Sequence, residues 1–285
     1  MRNAFTVAAA VLLAACTRSS DAPGSDTAHA TVDSVSSDKA AFRVPRESEI
    51  KDSVTLASVR RGRALIHATR DSLPAHVGAS LTCANCHIED GTVRDAMPLV
   101  GAYARFPQYR ARSGRIDILE DRINDCFKRS MNGASLDPES RDMRDIVAYL
   151  AFLSRGYPVG TEMQGQGTPQ LAALKGDTVR GAIVFKSNCI ACHGTDGQGT
   201  AAAPPLWGDK SFNIGAGMSR VNTAARFIHK LMPRDRPGSL TPQQAYDVAA
   251  YITSRPRPDF KGKENDWPHG NPPPDVAYPT KASSR

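Results

Sequence analysis

Two pentapeptides, Cys83-Ala84-Asn85-Cys86-His87 and Cys189-Ile190-Ala191-Cys192-His193, carry the most specific chemistry in the chain. In Cys-x-x-Cys-His, two thiols three positions apart on one helical turn can each bond a porphyrin vinyl group. The His that follows lies under the iron and ligates it. The pattern predicts two covalent c-type haems. One is bound through Cys83, Cys86 and His87, the other through Cys189, Cys192 and His193. A zinc ribbon would space its Cys-x-x-Cys pairs ~15–20 residues apart, whereas about a hundred residues separate these.

The sixth ligand decides what each haem does, since Met raises the potential and a thiolate pushes electron density onto iron. For the second haem the candidates are Met218, His229, Lys230 and Met232. Met232-Pro233 resembles the Met-Pro at which many cytochrome c domains supply their distal sulfur, so Met232 is expected and Met218 is the alternative. For the first haem the options are Met97, Cys126, Met131, His67 and His76. Met97 follows His87 closely, which is early for a distal ligand. Cys126 has no partner outside the haem motifs and Cys16, and on the residues alone it reads equally as an apolar filler. Met131 is then the ordinary choice.

The elements around these motifs repeat. Arg61-Gly62 and Arg180-Gly181 begin helical stretches that run toward the two haem motifs. Some sixty residues after each motif comes an amphipathic helix, 143–150 in the first half and 245–252 in the second, with apolar residues at helical spacing. Thr241-Pro242 supplies an N-cap and an N1 proline, and residues 135–139 are expected to do the same for the first half. Helix, haem motif, loop and helix resemble a small class I cytochrome c domain. The expectation is an all-α chain with two such domains in tandem, at 46–155 and 171–256, each with one haem. A Gly- and Gln-rich linker spans 156–170, and an extended Pro-rich tail spans 257–285. Trp267 and Tyr278 favour a tail that is partly docked.

The first fifteen residues, with Arg2 ahead of an apolar stretch from Ala4 to Ala15, run into Cys16 as Leu13-Ala14-Ala15-Cys16, the pattern of an export signal. It resembles the lipobox of bacterial lipoproteins. That resemblance implies cleavage before Cys16, a lipid on Cys16, and a periplasmic protein held on a membrane, with Thr17 favouring the outer membrane. Residues 16–45 are rich in Ser, Asp, Thr and Ala and read as a flexible tether. The 285 residues carry 36 Lys and Arg against 29 Asp and Glu, a formal charge of +7. No apolar run approaches the ~18 residues of a spanning helix, which excludes a multipass membrane protein. The mild positive balance suits anions, and no nucleic-acid motif is present.

The segment Cys126-Phe127-Lys128-Arg129-Ser130-Met131-Asn132-Gly133 is similar to the thiosulfate dehydrogenase (tetrathionate-forming) dihaem cytochromes c. The resemblance covers most of residues 46–280. It takes in both haem motifs, Gly114-Arg115, the Met-Pro and Asp266-Trp267-Pro268. It implies that Cys126 is the distal ligand of an active-site haem, that Arg112 and Arg122 clamp substrate, and that Ser130 donates a hydrogen bond. Leu231 stands where some members have a Lys that exchanges with the distal Met, so exchange is not expected here. From Arg94 to Arg115 lie Arg94, Arg105, Arg110, Arg112 and Arg115 with only Asp95 among them, and guanidinium forks suit oxyanions. The activity implied is coupling of two thiosulfates to tetrathionate at a His87/Cys126 haem. Two electrons then pass through a His193/Met232 haem to an external acceptor such as a small periplasmic cytochrome c. Whether Cys126 leaves iron or bonds a substrate sulfur stays open. Rival expectations are a dihaem electron carrier without substrate and an enzyme that runs in reverse as a tetrathionate reductase. A dihaem peroxidase would want an open, His-switched haem, for which no strong candidate stands out.

Overall fold

A computed structural model describes residue 1 and residues 39–282. The signal segment, Cys16 and most of the expected tether lie outside the described residues. Six longer helices carry the fold: α1 (Ser53–His67), α2 (Leu119–Arg129), α3 (Arg141–Leu153), α4 (Thr178–Asn188), α5 (Val221–Leu231) and α6 (Pro242–Thr253). In the first half α1 packs on α3, and in the second α4 packs on α6. The haem motifs sit in short helical turns between them.

Local signals explain the helix ends. Asp52 accepts from the backbone N–H of Val54 and Thr55, so α1 begins well before Arg61, which lies in its interior. Thr241 accepts from Gln244 N with Pro242 at N1, as expected. The cap expected within 135–139 is instead Ser140, which accepts from Met143 N. Asp137 is used up in a preceding turn, taking the N–H of Glu139 on its side chain and that of Ser140 on its carbonyl.

The repeat is a repeated lock. Arg61 Nη1 bonds Asp145 Oδ2 at 2.6 Å, and Arg180 Nε bonds Asp247 Oδ2 at 2.7 Å. Both acids are buried. The glycine after each Arg lets the helices touch. A Cβ on Gly62 would collide with the Asp145 carbonyl, and one on Gly181 with that of Asp247. Each domain has its own apolar core, the first around Phe127, Met143, Ile146 and Tyr149, the second around Phe185, Tyr246, Val248 and Ile252. A third cluster joins the domains, with Ile88 and Ala96 packed on Phe227 and Leu231.

Three segments expected to connect or trail are pinned. Ala40, in the expected tether, donates to the Glu162 carbonyl and accepts from Gln164 N, both at 2.9 Å, and Phe42 packs on the first core. Met163, in the linker, is fully buried in that core. The Pro-rich tail runs over both domains. Gly208 N donates to the Pro256 carbonyl, Ile214 N to that of Pro258, and Trp267 N to that of Arg112. Trp267 and Tyr278 are buried, and Asp266 receives Arg129 through two 2.8 Å bonds and Tyr278 Oη through one of 2.6 Å. One departure from an all-helical chain is an antiparallel hairpin of β1 (Gln108–Arg110) and β2 (Arg115–Asp117), which turns at Gly114. Its φ of +69° and the adjacent Pro268 ring explain the glycine. Strands of three residues are too short to register as a periodic pattern.

Two outcomes follow. Gly181→Ala forces α4 and α6 apart, an overpacking cost of about 1–3 kcal/mol. It should lower the holoprotein's thermal midpoint by several degrees, and an unchanged melting curve would contradict the lock. Asp266→Ala takes from the buried Arg129 guanidinium its two-bond acid, leaving Asp125, and removes the acceptor of Tyr278 Oη, at a cost of about 1–3 kcal/mol. Limited proteolysis should then cut the tail beyond residue 257 at protease levels the parent resists.

Candidate functional site

Helix α2 carries Arg122, Cys126 and leads directly into Ser130, four residues apart, so the three share a face. Its other face buries Leu119 and Phe127 in the core. Asn124 fixes the helix by taking Leu136 N–H at 2.8 Å and donating to the Leu136 carbonyl at 3.0 Å. On the open face, Arg122 Nη1 donates to Cys126 Sγ at 2.7 Å. The neighbouring Cys126 is the main cause that raises the Arg122 pKa above its ordinary value.

Cys126 lines a cavity with Cys83, Cys86, His87, Met97 and Met131. The His87 Nδ1–H donates to the Met97 carbonyl at 2.5 Å, which leaves Nε2 for a metal and puts Met97 on the His87 side. Burial pushes the His87 pKa down to about 4, keeping the ring in the neutral form a ligand needs. The second cavity repeats this arrangement. It is lined by Cys189, Cys192, His193, Met218 and Met232, and the His193 Nδ1–H donates to the Pro204 carbonyl at 2.8 Å. Burial lowers the His193 pKa as well. Cys86 and Met218 line both cavities. His67 pairs with Asp90, His76 meets the carbonyls of residues 134 and 135, and His229 meets that of Leu240. None of these three, nor Lys230, lines either cavity.

The donor sets fit haem. Each cavity joins a Cys-x-x-Cys-His motif to further Cys or Met side chains, and no group of three or more His, Cys, Asp or Glu gathers as a metal cage among the described residues. Beside the second cavity, Arg257 stacks on Phe212 at 4.4 Å with Nε and Nη1 buried and unpartnered. Burial pushes its pKa down to about 10. Such a guanidinium calls for an anion, and haem propionates are anions.

A cleft of about 350 Å³ adjoins the first cavity. Arg122, Ser130 and Gly217 belong to both. Gln108, Arg110, Arg112, Arg129 and Arg220 also line it, against the single acid Asp125. Arg112 donates to the Gly215 carbonyl at 2.8 Å and lies 4.5 Å over the Trp267 ring. Burial, then the neighbouring Arg129, pulls its pKa down. Burial followed by Arg122 does the same to Arg110. These cations crowd one another in a partly dry space, so an anion entering the cleft relieves their repulsion. Arg129 is already matched by Asp266 and by Asp125 at 3.1 Å.

The structure thus places Cys126, Arg122 and Ser130 on the first cavity, and Arg112, Arg122 and Ser130 on the cleft beside it. Arg94, Arg105 and Arg115 stand outside the cleft; Arg115 is tied to Asp117 and Asp121. Sequence reasoning missed Gln108 and Arg220. Gln108 alternates with Arg110 along β1, a weak signal in hindsight, whereas Arg220 precedes α5 with no motif around it.

Known proteins are similar to both halves of the chain. Residues 75–159 match the family model described as SoxA/TsdA, cytochrome c domain, and residues 176–252 match the one described as cytochrome C oxidase, cbb3-type, subunit III. Thiosulfate dehydrogenase of Psychrobacter arcticus is 41% identical over 262 residues, 90% of this chain and 78% of that protein. That of Allochromatium vinosum is 43% identical over 237 residues, 79% of this chain and 88% of that protein. The solved thiosulfate dehydrogenase (TsdBA) of Marichromatium purpuratum superposes with a TM-score of 0.74 at 35% identity, over 79% of this chain. This chain spans only 52% of that one. With two cytochrome c domains that each carry a c-type haem, the chain belongs to the thiosulfate dehydrogenase family.

Proposed function

We propose that the protein joins two thiosulfates into tetrathionate in the arginine-lined cleft beside Cys126. The observation that supports this most is the continuity of that cleft with the first haem cavity through Arg122 and Ser130, beside the Arg122–Cys126 contact. In this reading His87 and Cys126 hold the first haem, while His193 and Met232 hold the second, with Met218 as the alternative ligand. Bound haem supplies one-electron acceptors for the electrons that the substrate sulfurs give up.

Joining two thiosulfates forms one S–S bond, releases two electrons and moves no proton. The site therefore needs fixed cations more than an acid or a base, and its one acid, Asp125, is engaged by Arg129. Arg112 and Arg122 hold the sulfonate oxygens as forks and offset the repulsion between two dianions. Ser130, at the mouth of the haem cavity, donates a hydrogen bond to the substrate that faces Cys126. Cys86 and Met218 border both cavities, so the two haem sites adjoin. The same residues serve tetrathionate reduction when the partner supplies electrons. A soluble periplasmic acceptor and a lipid anchor at Cys16 belong to this reading and rest on the sequence.

Purified holoprotein with thiosulfate and ferricyanide should form one tetrathionate for every two ferricyanides reduced. Reduction of both haems by dithionite with no consumption of thiosulfate would leave a plain electron carrier. Arg122→Gln, which deletes a buried cation shared by cleft and cavity, should lower kcat/KM by roughly 10²-fold or more. Cys126→Met should keep both covalent haems and lose thiosulfate turnover; parental rates in that variant would remove the role given to the thiolate.

A further inference from the structure

The cleft contains two buried hydrogen-bond donors that the protein does not satisfy. Gln108 Nε2 and Arg220 Nε are both buried and without a partner, and both residues line the same cavity. A buried polar group left unpaired costs about 1–3 kcal/mol, so such groups are rare unless a ligand completes them. Both are N–H donors, hence the missing partner is an acceptor. With Arg110, Arg112 and Arg122 around them, that acceptor is an anion.

The two donors come from different domains. Gln108 lies on β1, two residues from Arg110 on the same side of the strand, while Tyr109 between them points out and is 55% exposed. Arg220 belongs to the second domain and sits at the N-cap of α5. Its backbone N–H donates to the Gly217 carbonyl at 3.2 Å, so it is fixed to the turn whose Gly217 lies where the cleft meets the haem cavity. The Arg220 charge also helps to lower the Arg112 pKa, after burial and Arg129, which places the two guanidinia close together.

We infer that Arg220 and Gln108 form the second of two oxyanion subsites, holding the sulfonate end of the thiosulfate that lies farther from Cys126. The inner subsite is Arg122 and Ser130, which line the haem cavity as well, and Arg112 lines the same cleft. The inference rests on the proposed reaction and gives it a structural requirement: the substrate site is complete only when the second domain is docked. It also explains why a cleft on the first domain borrows a cation from the other half of the chain.

Equilibrium titration of oxidised holoprotein with tetrathionate tests this without turnover. Arg220→Gln should weaken tetrathionate binding roughly 10-fold or more, Gln108→Leu should weaken it less, and Arg220→Lys should restore part of the loss by keeping the charge without the fork. Arg220→Gln should also raise KM for thiosulfate more than it lowers kcat, with the haem spectra and potentials of the parent. Arg115→Gln, whose side chain is paired with Asp117 and Asp121 outside the cleft, serves as the control and should bind as the parent does. Parental affinity in Arg220→Gln, alongside weakened binding in Arg122→Gln, would overturn the second subsite alone. A parent protein that binds no tetrathionate would overturn both the subsite and the reaction on which it rests.

Discussion

A guanidinium held against a sulfur inside a nearly dry cavity is the interaction on which the remaining architecture depends. Arg122 and Cys126 are one helical turn apart, so α2 itself sets their spacing, and the helix must be immobile for the contact to persist. Three restraints hold it. Leu119 and Phe127 anchor its inner face, Asn124 clamps the backbone of Leu136, and Arg129 ties its end to Asp266 in the tail. A charge-assisted contact of this kind strengthens as water is excluded, and the docked second domain and tail exclude it. The Pro-rich tail is therefore part of the site: Asp266 and Trp267 engage Arg129 and Arg112, two cations that line the cleft.

Two copies of one scaffold are used for different ends. Both halves share the Arg–Gly lock onto a buried Asp, and in both a backbone carbonyl orients the haem-motif His. They diverge in the other sulfurs that line each cavity. The first half presents Cys126 among cations, while the second presents Met232 and Met218 among apolar side chains. A scaffold that tolerates this difference can keep substrate chemistry in one domain and onward electron passage in the other.

The haem motifs, the paired helices and the tandem arrangement were legible because each rests on local signals: fixed spacing, helical periodicity, a capping residue. Cys126 and Ser130 stand out through one contiguous block of family-like sequence and Arg112 and Arg122 through the wider resemblance, while nothing in their spacing alone distinguishes Cys126 from a buried filler. What escaped is non-local. The hairpin is too short to show a period. Met163 and Phe42 look like linker and tether residues until the first core closes over them. Arg220 acquires its place only when two domains meet. The cap expected within 135–139 is Ser140 instead, because Asp137 is taken up in a turn with residues 139 and 140.

In the proposed function a thiolate from position 126 ligates iron in the first domain, and low-temperature electron paramagnetic resonance of the oxidised holoprotein reads that ligation. One of the two haems should give the low-spin signal of His/thiolate ligation, and that signal alone should disappear when residue 126 is changed to Met. Two haems that both show His/Met or bis-His signals in the parent protein would contradict the account.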